Sequence, residues 1–295
     1  RELIMNIYDD FSKPIEYTRN GIISIGTFEA LHLGHQKLLS NMLNVAKEKN
    51  LESYVLTFIE SPKKINNEKN ILELSDKLSM FEKLGIQNVI LCNFNSNIKN
   101  LDPVIFSKIL LKNFGIVSYY EGEDFYFGIN KSGNLKLLKN EGFEVFTEET
   151  FKIDGKKVST SEIKKYIKSG SITEVNNRLG YNYFIKGVVT KGKQMGRIIG
   201  FPTMNIQNNN VLYPKAGSYF TTTSVDNRKY PSMTFVSESI VETHLIGYKD
   251  YAYGFSIRVD FLQKIRDNKP FNSFDELKEQ LRIDLDMTKK YFRQS

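Results

Sequence analysis

The sequence predicts an α/β doubly wound parallel sheet followed by a small antiparallel β-barrel with a C-terminal helix. Segments typical of strands and helices alternate through the first 181 residues, as expected for a parallel sheet flanked by helices. The pattern then changes to short β-rich segments and one closing helix, which indicates a barrel. A length of 295 residues allows two separate cores. We therefore predict domains at 1–181 and 182–295.

The elements of the first predicted domain follow one another in strand–helix order. A glycine-ended apolar run opens the sheet, and apolar residues at helical spacing follow it. Asp102 before Pro103 is typical of a helix start, Gly85 is typical of a helix end, and Ser75 is predicted to cap the second helix. In chain order we expect strand 21–26, a helix around 38–46, strand 54–58, helix 75–84, strand 88–94, helix 102–114 and strand 116–120.

The change of pattern near residue 181 follows a predicted helix at 161–169, which Gly170 would end. The barrel is expected to contain several short strands and to close with a helix that Ser273 would cap. Residues 232–239 are interpreted as a short loop. The strands are expected at 184–190, 218–225, 240–246 and 253–261, and the last helix at 274–293.

The composition is that of an ordinary globular protein, with 40% hydrophobic and 25% charged residues. The net charge of +7 comes from 41 Lys and Arg scattered among 34 Asp and Glu, so we expect no nucleic-acid partner. No apolar run reaches the roughly 18 residues of a membrane span, so we expect no membrane partner. The single cysteine, Cys92, lies in an apolar run and excludes an internal disulfide. We expect a cytoplasmic monomer or weak homo-oligomer.

The first cluster of chemically informative residues follows the first predicted strand. Residues 26–35, Gly-Thr-Phe-Glu-Ala-Leu-His-Leu-Gly-His, lead into the first helix and hold two of the three histidines. Free N–H groups at a helix start attract anions, and Gly34 allows a close backbone approach. His32 and His35 can direct both rings at one phosphate and donate hydrogen bonds as negative charge builds up. A helix-capping turn with solvated histidines is the alternative.

The 26–35 string resembles the His-x-Gly-His signature of the nucleotidyltransferase superfamily, whose members bind ATP and release pyrophosphate. Residues 121–128, Glu-Gly-Glu-Asp-Phe-Tyr-Phe-Gly, resemble a segment of bacterial FAD synthetases, and residues 159–164 resemble their Ser-Ser-Thr-x-Ile-Arg motif. The resemblance implies catalytic roles for His32 and His35. It implies phosphate contacts for Gly26, Phe28, Gly34, Ser159, Thr160, Ser161 and Lys164, and flavin contacts for Phe58, Pro62, Asp124, Phe125 and Phe127. From the residues alone, an aromatic loop and a simple helix cap remain alternatives for the last two strings.

A second cluster lies in the predicted barrel. Residues 196–205, Gly-Arg-Ile-Ile-Gly-Phe-Pro-Thr-Met-Asn, resemble the signature of riboflavin kinases, which fold as six-stranded barrels, and a Gly-Pro turn is the alternative. Such glycines let backbone N–H groups surround a phosphate, and hydroxyl and amide oxygens suit Mg²⁺. Residues 241–245 resemble the family's Val-Glu-x-His-Leu strand. The resemblance implies Glu242 as general base, Thr203 and Asn205 as metal ligands, Arg266 near phosphate or flavin, and Gly196, Arg197, Gly200, Phe201 and Pro202 as ATP contacts.

Taken together, the strings resemble the bifunctional riboflavin kinase/FAD synthetases over essentially the whole chain. Ala30 stands where that family has glycine, Glu29 where it has Asp, and Lys164 where it has Arg. Residues 57–62 depart from the family's flavin-holding segment, and residues 232–239 from its longer Gly- and Pro-containing loop. These departures weaken the expected adenylyltransferase in three places and the expected flavin lid of the kinase in one.

The resemblance implies two reactions in sequence, from riboflavin to FMN and from FMN to FAD, each with ATP and Mg²⁺. Flavins would then be substrates and products rather than resident cofactors. One alternative is a chain that retains only one of the two activities. Another is a non-catalytic flavin- or nucleotide-binding protein. A basic nucleic-acid-binding protein has no support beyond the net charge.

Overall fold

The chain forms two compact units in the computed structural model, which describes residues 5–59, 69–93, 96–191, 200–238, 240–250 and 252–294. The first unit comprises Arg1–Glu68 and Leu72–Val158, and the second Lys69–Ile71 and Ser159–Ser295. This division falls before the boundary expected at 181–182, because the helices after residue 159 pack with the strands of the second unit. Asn176 Nδ2, for example, donates to Phe261 O at 2.9 Å.

Strands and helices alternate along the first unit, as the sequence predicts. Six strands form one parallel sheet, so the predicted α/β doubly wound architecture is confirmed. The elements are β1 (Asn6–Tyr8), β2 (Gly21–Ile25), α1 (Leu33–Glu48), β3 (Glu52–Phe58), α2 (Leu74–Leu84), β4 (Asn88–Cys92), α3 (Ser96–Lys99), α4 (Pro103–Phe114), β5 (Ile116–Gly122), β6 (Tyr126–Phe127), β7 (Gly133–Asn134), α5 (Leu135–Asn140), β8 (Glu144–Glu148), β9 (Lys152–Ile153) and β10 (Lys156–Lys157).

The sheet order β1-β4-β3-β2-β5-β8 fixes where a ligand can approach. β2 pairs with β3 over its whole length, but with β5 only from Gly21 to Ile23. Beyond Ile23 the strands β2 and β5 therefore separate, at the point where the strand order changes direction. Open α/β sheets bind ligands in such a crevice, outside the carboxyl ends of the strands. The loop after β2 begins at this crevice.

Local signals explain several helix ends of the first unit. Asp102 caps α4, since its Oδ1 accepts the N–H groups of Val104 at 2.9 Å and Ile105 at 3.1 Å. Gly85 ends α2 in the left-handed conformation, with φ at 90°. The predicted cap at Ser75 is wrong, because α2 already begins at Leu74 and Ser75 lies in its first turn.

The second unit is an antiparallel barrel preceded and followed by helices, as predicted. Its six strands form one sheet in the order β11-β16-β13-β14-β15-β12. The N–H of Thr190 donates to Asn205 O at 2.9 Å, which joins the two edge strands and nearly closes the barrel. The elements are α6 (Thr160–Ser169), α7 (Ile172–Leu179), β11 (Phe184–Val188), β12 (Met204–Ile206), β13 (Gly217–Val225), β14 (Arg228–Val236), β15 (Val241–Leu245), β16 (Ser256–Asp267) and α8 (Phe274–Gln294).

The interpretation of residues 232–239 as a loop is wrong for most of that segment. β14 continues to Val236, and Ser237 N donates to Ile240 O at 3.0 Å just before β15. The hydroxyls of Ser232 and Thr234, in the segment compared with the family's loop, point into the barrel and are fully buried.

Five hydroxyl groups form a closed ring of hydrogen bonds inside the barrel. Each member can donate one bond and accept another, so a closed ring satisfies every hydroxyl without water. All five residues are fully buried. In order around the ring, Thr221, Ser232, Thr223, Thr243 and Thr234 are joined by bonds of 2.8, 2.8, 3.1, 2.8 and 2.7 Å.

The helix α8 is anchored to the outer face of the barrel by a buried ion pair. Asp284, fully buried on α8, accepts from Arg266 Nε at 2.9 Å and pairs with its terminal nitrogen at 2.8 Å. Ser218 on β13 and Gln280 on α8 also donate to this carboxylate. Tyr291 stacks on Phe220 at 4.4 Å between centroids. Among the described helices, α8 included, none is both long and apolar enough to cross a membrane.

Candidate active sites

The loop between β2 and α1 is tightly folded. Phe28 and Leu31 have φ angles of 44° and 41°, a left-handed backbone that residues other than glycine rarely adopt. Both side chains are buried, and the Phe28 ring packs edge-on against His35 at 5.2 Å between centroids. A Cβ at Gly26 would lie 3.0 Å from the same ring. A side chain at position 26 would therefore crowd the buried Phe28 ring, and glycine leaves room for it.

The alanine that replaces the expected glycine does not disturb this loop. Ala30 is buried and keeps a negative φ, so the backbone there does not require glycine. Gly34 is different, because a Cβ would lie 3.1 Å from Phe151 Cβ and 3.3 Å from the His32 ring. The glycine that the packing requires at this helix start is thus present.

The two histidines of this loop form one stacked pair. His32 caps α1, with its Nδ1 accepting the N–H of His35 at 3.3 Å, and the two rings stack at 3.7 Å between centroids. Burial lowers the pKa of His32 to about 4, and the charge of Lys157 acts in the same direction. His32 is therefore neutral at pH 7. Since its Nδ1 accepts, its proton lies on Nε2, which makes His32 an uncharged hydrogen-bond donor.

Lys77 is a buried residue of this region that the sequence did not single out. It lies on α2 with only 6% of its surface exposed, and its Nζ donates to the backbone oxygens of Thr27 and Phe58. Burial lowers the pKa of Lys77 to about 8. The one available signal was its spacing, because Lys77 precedes the buried Phe81 by four residues and so shares its inward face.

Glu121 is a second buried ionisable residue beside the crevice. Its Oε1 accepts the N–H of Ile25 at 2.7 Å, at the end of β2 where β5 no longer supplies a backbone partner. Complete burial raises the pKa of Glu121 well above its usual range. The side chain thus bridges the gap between the two strands immediately before Gly26.

An ion pair lies on the same unit near the histidines. The predicted flavin residue Asp124 is exposed after β5 and pairs with Lys157 on β10. The charge of Lys157 also contributes to the lowered pKa of His32. The structure therefore brings Asp124 and His32 to one region of the first unit.

The aromatic residues predicted to bind flavin lie against the core of the first unit. Phe58 ends β3 and is partly buried. The rings of Phe125 and Phe127 stack at 5.3 Å between centroids, and Phe127 belongs to the core itself. Their flavin contacts stay predictions. Three other predicted site residues lie outside the described part of the chain: Pro62, Gly196 and Arg197.

The residues of the 159–164 string open a helix, as predicted. Ser159 caps α6, since its Oγ accepts the N–H of Glu162 at 3.3 Å, and Thr160 and Ser161 begin the first turn. Lys164 follows one turn later. This string belongs to the second compact unit, and its phosphate contacts stay a prediction.

The predicted phosphate loop of the barrel is held by a histidine. His244 Nδ1 lies 2.8 Å from Pro202 O, and since a carbonyl only accepts, this nitrogen carries the proton. Burial lowers the pKa of His244, which favours its neutral form. Phe201 packs edge-on against the same ring, and Gly200 has a left-handed backbone with φ at 86°. The resemblance gave His244 no role, and the structure shows that it fixes the segment before Thr203.

The predicted base of the barrel site faces a predicted metal ligand. Glu242 on β15 and Asn205 on β12 are direct partners in an antiparallel pair, so their side chains lie on the same face of the sheet. This is the outer face, because the next residue, Thr243, points into the hydroxyl ring. Thr203 precedes β12 immediately.

The oxygens at this position fit a magnesium ion. Asn205 is 8% exposed, and its buried Oδ1 has no hydrogen-bond partner among the described residues. Buried amide oxygens almost always have a partner, and a hard cation would supply one. No group of three or more His, Cys, Asp or Glu that could hold a metal occurs in the described ranges. A bound Mg²⁺ would therefore use Asn205, Thr203 and substrate phosphates, as Mg²⁺ commonly does.

Arg266, predicted near phosphate or flavin, forms an ion pair with Asp284, and only 17% of its side chain is exposed. In the structure its side chain anchors α8 to the barrel. A contact with the flavin stays a prediction.

Comparison with known proteins gives the same two modules. A family model described as FAD synthetase matches residues 15–162, and one described as riboflavin kinase matches residues 179–292. A solved structure from Streptococcus pneumoniae, titled as a macrolide-efflux protein, has a TM-score of 0.90 and 26% identity, and the match covers 97% of this chain and 99% of that one.

Curated relatives extend over nearly the whole chain. The bifunctional riboflavin kinase/FMN adenylyltransferase of Haemophilus influenzae is 30% identical, covering 92% of this chain and 94% of its own. The protein of that name from Buchnera aphidicola subsp. Schizaphis graminum is 32% identical over the same shares. With both models matched in this order, the chain belongs to the bifunctional riboflavin kinase/FMN adenylyltransferase family.

Proposed function

We propose that this enzyme makes FAD from riboflavin in two ATP-dependent steps. The C-terminal site transfers the γ-phosphoryl group of ATP to the 5′-hydroxyl of riboflavin, which gives FMN and ADP. The N-terminal site joins the FMN phosphate to the adenylyl group of a second ATP, which gives FAD and pyrophosphate. The order of the two matched family models supports this assignment.

For adenylyl transfer, we infer that the neutral His32 donates from Nε2 to a phosphate oxygen as negative charge develops there. The lowered pKa of His32 supports this role, since the donor is available without taking up a proton. His35 stacks on it and shares the phosphate region, where Gly26, Phe28 and Gly34 shape the loop. The oxygen of the FMN phosphate attacks the α-phosphorus and pyrophosphate leaves. The phosphate contacts of Ser159–Lys164, which belongs to the second compact unit, stay a prediction.

For the kinase reaction, Glu242 is proposed to take the proton of the riboflavin 5′-hydroxyl as the oxygen attacks the γ-phosphorus. Thr203 and Asn205 would hold Mg²⁺, which neutralises phosphate charge when bound. His244 keeps the preceding segment in place through Pro202.

One geometric observation carries the kinase assignment. Glu242 lies directly opposite Asn205, whose buried Oδ1 has no partner among the described residues. A carboxylate beside a hard oxygen ligand is the arrangement that phosphoryl transfer to a hydroxyl requires.

We further propose a cytoplasmic monomer or weak homo-oligomer with functional domains 1–181 and 182–295. The single cysteine, Cys92, is buried, and burial raises its pKa to about 12, so it is a poor nucleophile and redox group. Small molecules are the only partners that this proposal requires: ATP, riboflavin and FMN.

The test is to incubate the protein with riboflavin, ATP and Mg²⁺ and to separate the flavins by chromatography. Wild type should form FMN and then FAD. Glu242→Gln should lose FMN formation by about 10²–10⁴-fold while still converting added FMN to FAD. Glu238→Gln, an exposed carboxylate before β15, is the matched control and should behave as wild type.

His32→Asn tests the adenylyltransferase activity separately from the kinase activity. Asparagine is a good helix cap, so α1 should be retained while the ring donor is lost. FAD formation should collapse and FMN formation should persist. Riboflavin left unchanged by wild type would refute the proposal, and FMN without FAD would select the single-activity alternative.

A further inference from the structure

Lys77 places a buried ammonium between the two segments that carry the proposed adenylyltransferase site. Its Nζ donates to Thr27 O at 3.2 Å, to Thr57 Oγ1 at 3.0 Å and to Phe58 O at 3.0 Å. Thr27 lies in the loop that leads to His32, and Phe58 ends β3 and is itself expected to contact flavin. Lys77 has no role in the adenylyl-transfer step proposed for His32 and His35.

The hydrogen bonds of this cluster balance when Lys77 is charged. An ammonium has three donors, and three acceptors surround it. Thr57 Oγ1 accepts from Lys77 and donates its own proton to Thr27 O at 3.0 Å, which uses both lone pairs of that carbonyl. Glu29, in the same loop, adds favourable charge. An apolar side chain at this position would remove the bonds that Lys77 makes to Thr27 O and Phe58 O, and with them the link between the two segments.

We propose that Lys77 is a positioning residue for adenylyl transfer. It joins the loop after β2 to the end of β3, and so fixes the position of the bound ATP relative to the bound FMN. The proposal rests on the proposed function of the N-terminal unit. Lys77 acts through the backbone at Thr27 and Phe58 rather than on the reacting atoms. Displacement of one reacting group by about 1 Å can cost about 100-fold in rate, so such a tie is sufficient to control turnover.

A purely structural lysine would have different energetics. Burying an ammonium costs several kcal/mol before its bonds are made, and an apolar side chain of similar length avoids that cost. If Lys77 only filled space, Lys77→Met should be as stable as wild type and as active. If it supports folding alone, both activities and the unfolding temperature should fall together.

The decisive variant is Lys77→Met in the full chain, with Lys83→Met as control on an exposed site of the same helix. We measure kcat and KM for FMN in adenylyl transfer, riboflavin kinase activity in the same preparation, and the unfolding midpoint. For Lys77→Met, kcat/KM for FMN should fall about 10–100-fold with a raised KM. The kinase should stay within about twofold of wild type and the midpoint should not fall, since the lost charge was costly to bury.

Thr57→Val is a second variant, and it tests the positioning role of Lys77 if Lys77→Met does not fold. It removes one acceptor of the ammonium and the donor to Thr27 O. It should also raise KM for FMN and spare the kinase. Where both variants fold, the double variant should lose no more than Lys77→Met alone, because the two side chains act through one cluster.

Three outcomes would overturn the inference. They are adenylyl transfer within about twofold of wild type in Lys77→Met and Thr57→Val, equal loss of both activities, and full additivity of the two substitutions. A wild-type protein that forms no FAD from FMN would instead refute the proposed function. FAD formation by wild type and by Lys77→Met alike would refute only the positioning role.

Discussion

Valine in place of Thr223 should destabilise the barrel by about 1–3 kcal/mol, because it opens the ring of buried hydroxyls. Thr223 Oγ1 lies 2.8 Å from Ser232 Oγ and 3.1 Å from Thr243 Oγ1. Valine has nearly the same shape but can neither donate nor accept. Of Ser232 and Thr243, one therefore loses its acceptor and the other its donor. Both hydroxyls are buried, and a buried polar group without a partner costs its full desolvation free energy.

Urea unfolding followed by circular dichroism measures this loss. With a slope of about 2 kcal/mol per molar urea, a destabilisation of 2 kcal/mol lowers the midpoint by about 1 M. Thr222→Val is the matched control on the same strand, because the buried Thr222 Oγ1 has no hydrogen-bond partner among the described residues. Its midpoint should stay unchanged or rise. Equal midpoints for the two variants, or a greater loss for Thr222→Val, would refute the reasoning about the ring.

The remaining predictions concern buried ionisable groups. Asp284→Asn should destabilise the second unit by about 3–5 kcal/mol in urea unfolding, since Arg266 loses its counter-ion. Burial lowers the pKa of Lys77 from 10.5 to about 8. Between about pH 8 and pH 10.5 the unfolded chain therefore binds one more proton than the folded protein, and the contribution of Lys77 to the free energy of unfolding rises with pH. The adenylyl-transfer rate should fall as pH rises through about 8, because the neutral amine loses one of the three donors of the ammonium and its attraction to Glu29. Burial lowers the pKa of His32 from 6.5 to about 4, so stability measured by unfolding should decrease as pH falls through that range.

Each of these predictions has an internal control. Glu279 and Arg282 form an exposed pair on α8 at 3.5 Å, and Glu279→Gln should cost less than about 0.5 kcal/mol. A cost for Asp284→Asn as small as that would contradict the first prediction. Lys77→Met should remove the alkaline fall in rate, and His32→Asn should flatten the acidic limb of the stability profile. Unchanged profiles in these variants would assign the titrations to other groups.

The fold could be predicted where local signals were strong. β2 is buried along its whole length and reads as an apolar run, and Asp102-Pro103 and Gly115 mark both ends of α4. Short edge strands escaped prediction. β1 and β8 lie at the two edges of the parallel sheet, where fewer residues are buried and the apolar pattern is interrupted. β14 was missed because its inward residues are hydroxyls that only their cross-strand partners satisfy.

The same distinction applies to the candidate sites. His32, His35 and Glu242 lie in short strings that can be recognised locally. Lys77 and Glu121 acquire their meaning from partners 50 and 96 positions away in sequence, Thr27 and Ile25 respectively. No local pattern identifies such partners, because a lysine on a helix and a glutamate at a strand end are most often solvated.

The anchor of α8 has a consequence for the order in which the enzyme matures during synthesis. All residues of the first compact unit have been translated once residue 158 is made. The carboxylate that neutralises Arg266 belongs to residue 284, so the outer face of the barrel cannot be completed until translation has passed that point. Domains generally fold as units from the N-terminal side during synthesis. We therefore expect nascent chains arrested before residue 284 to carry a folded adenylyltransferase unit and a kinase unit that is still open to proteases.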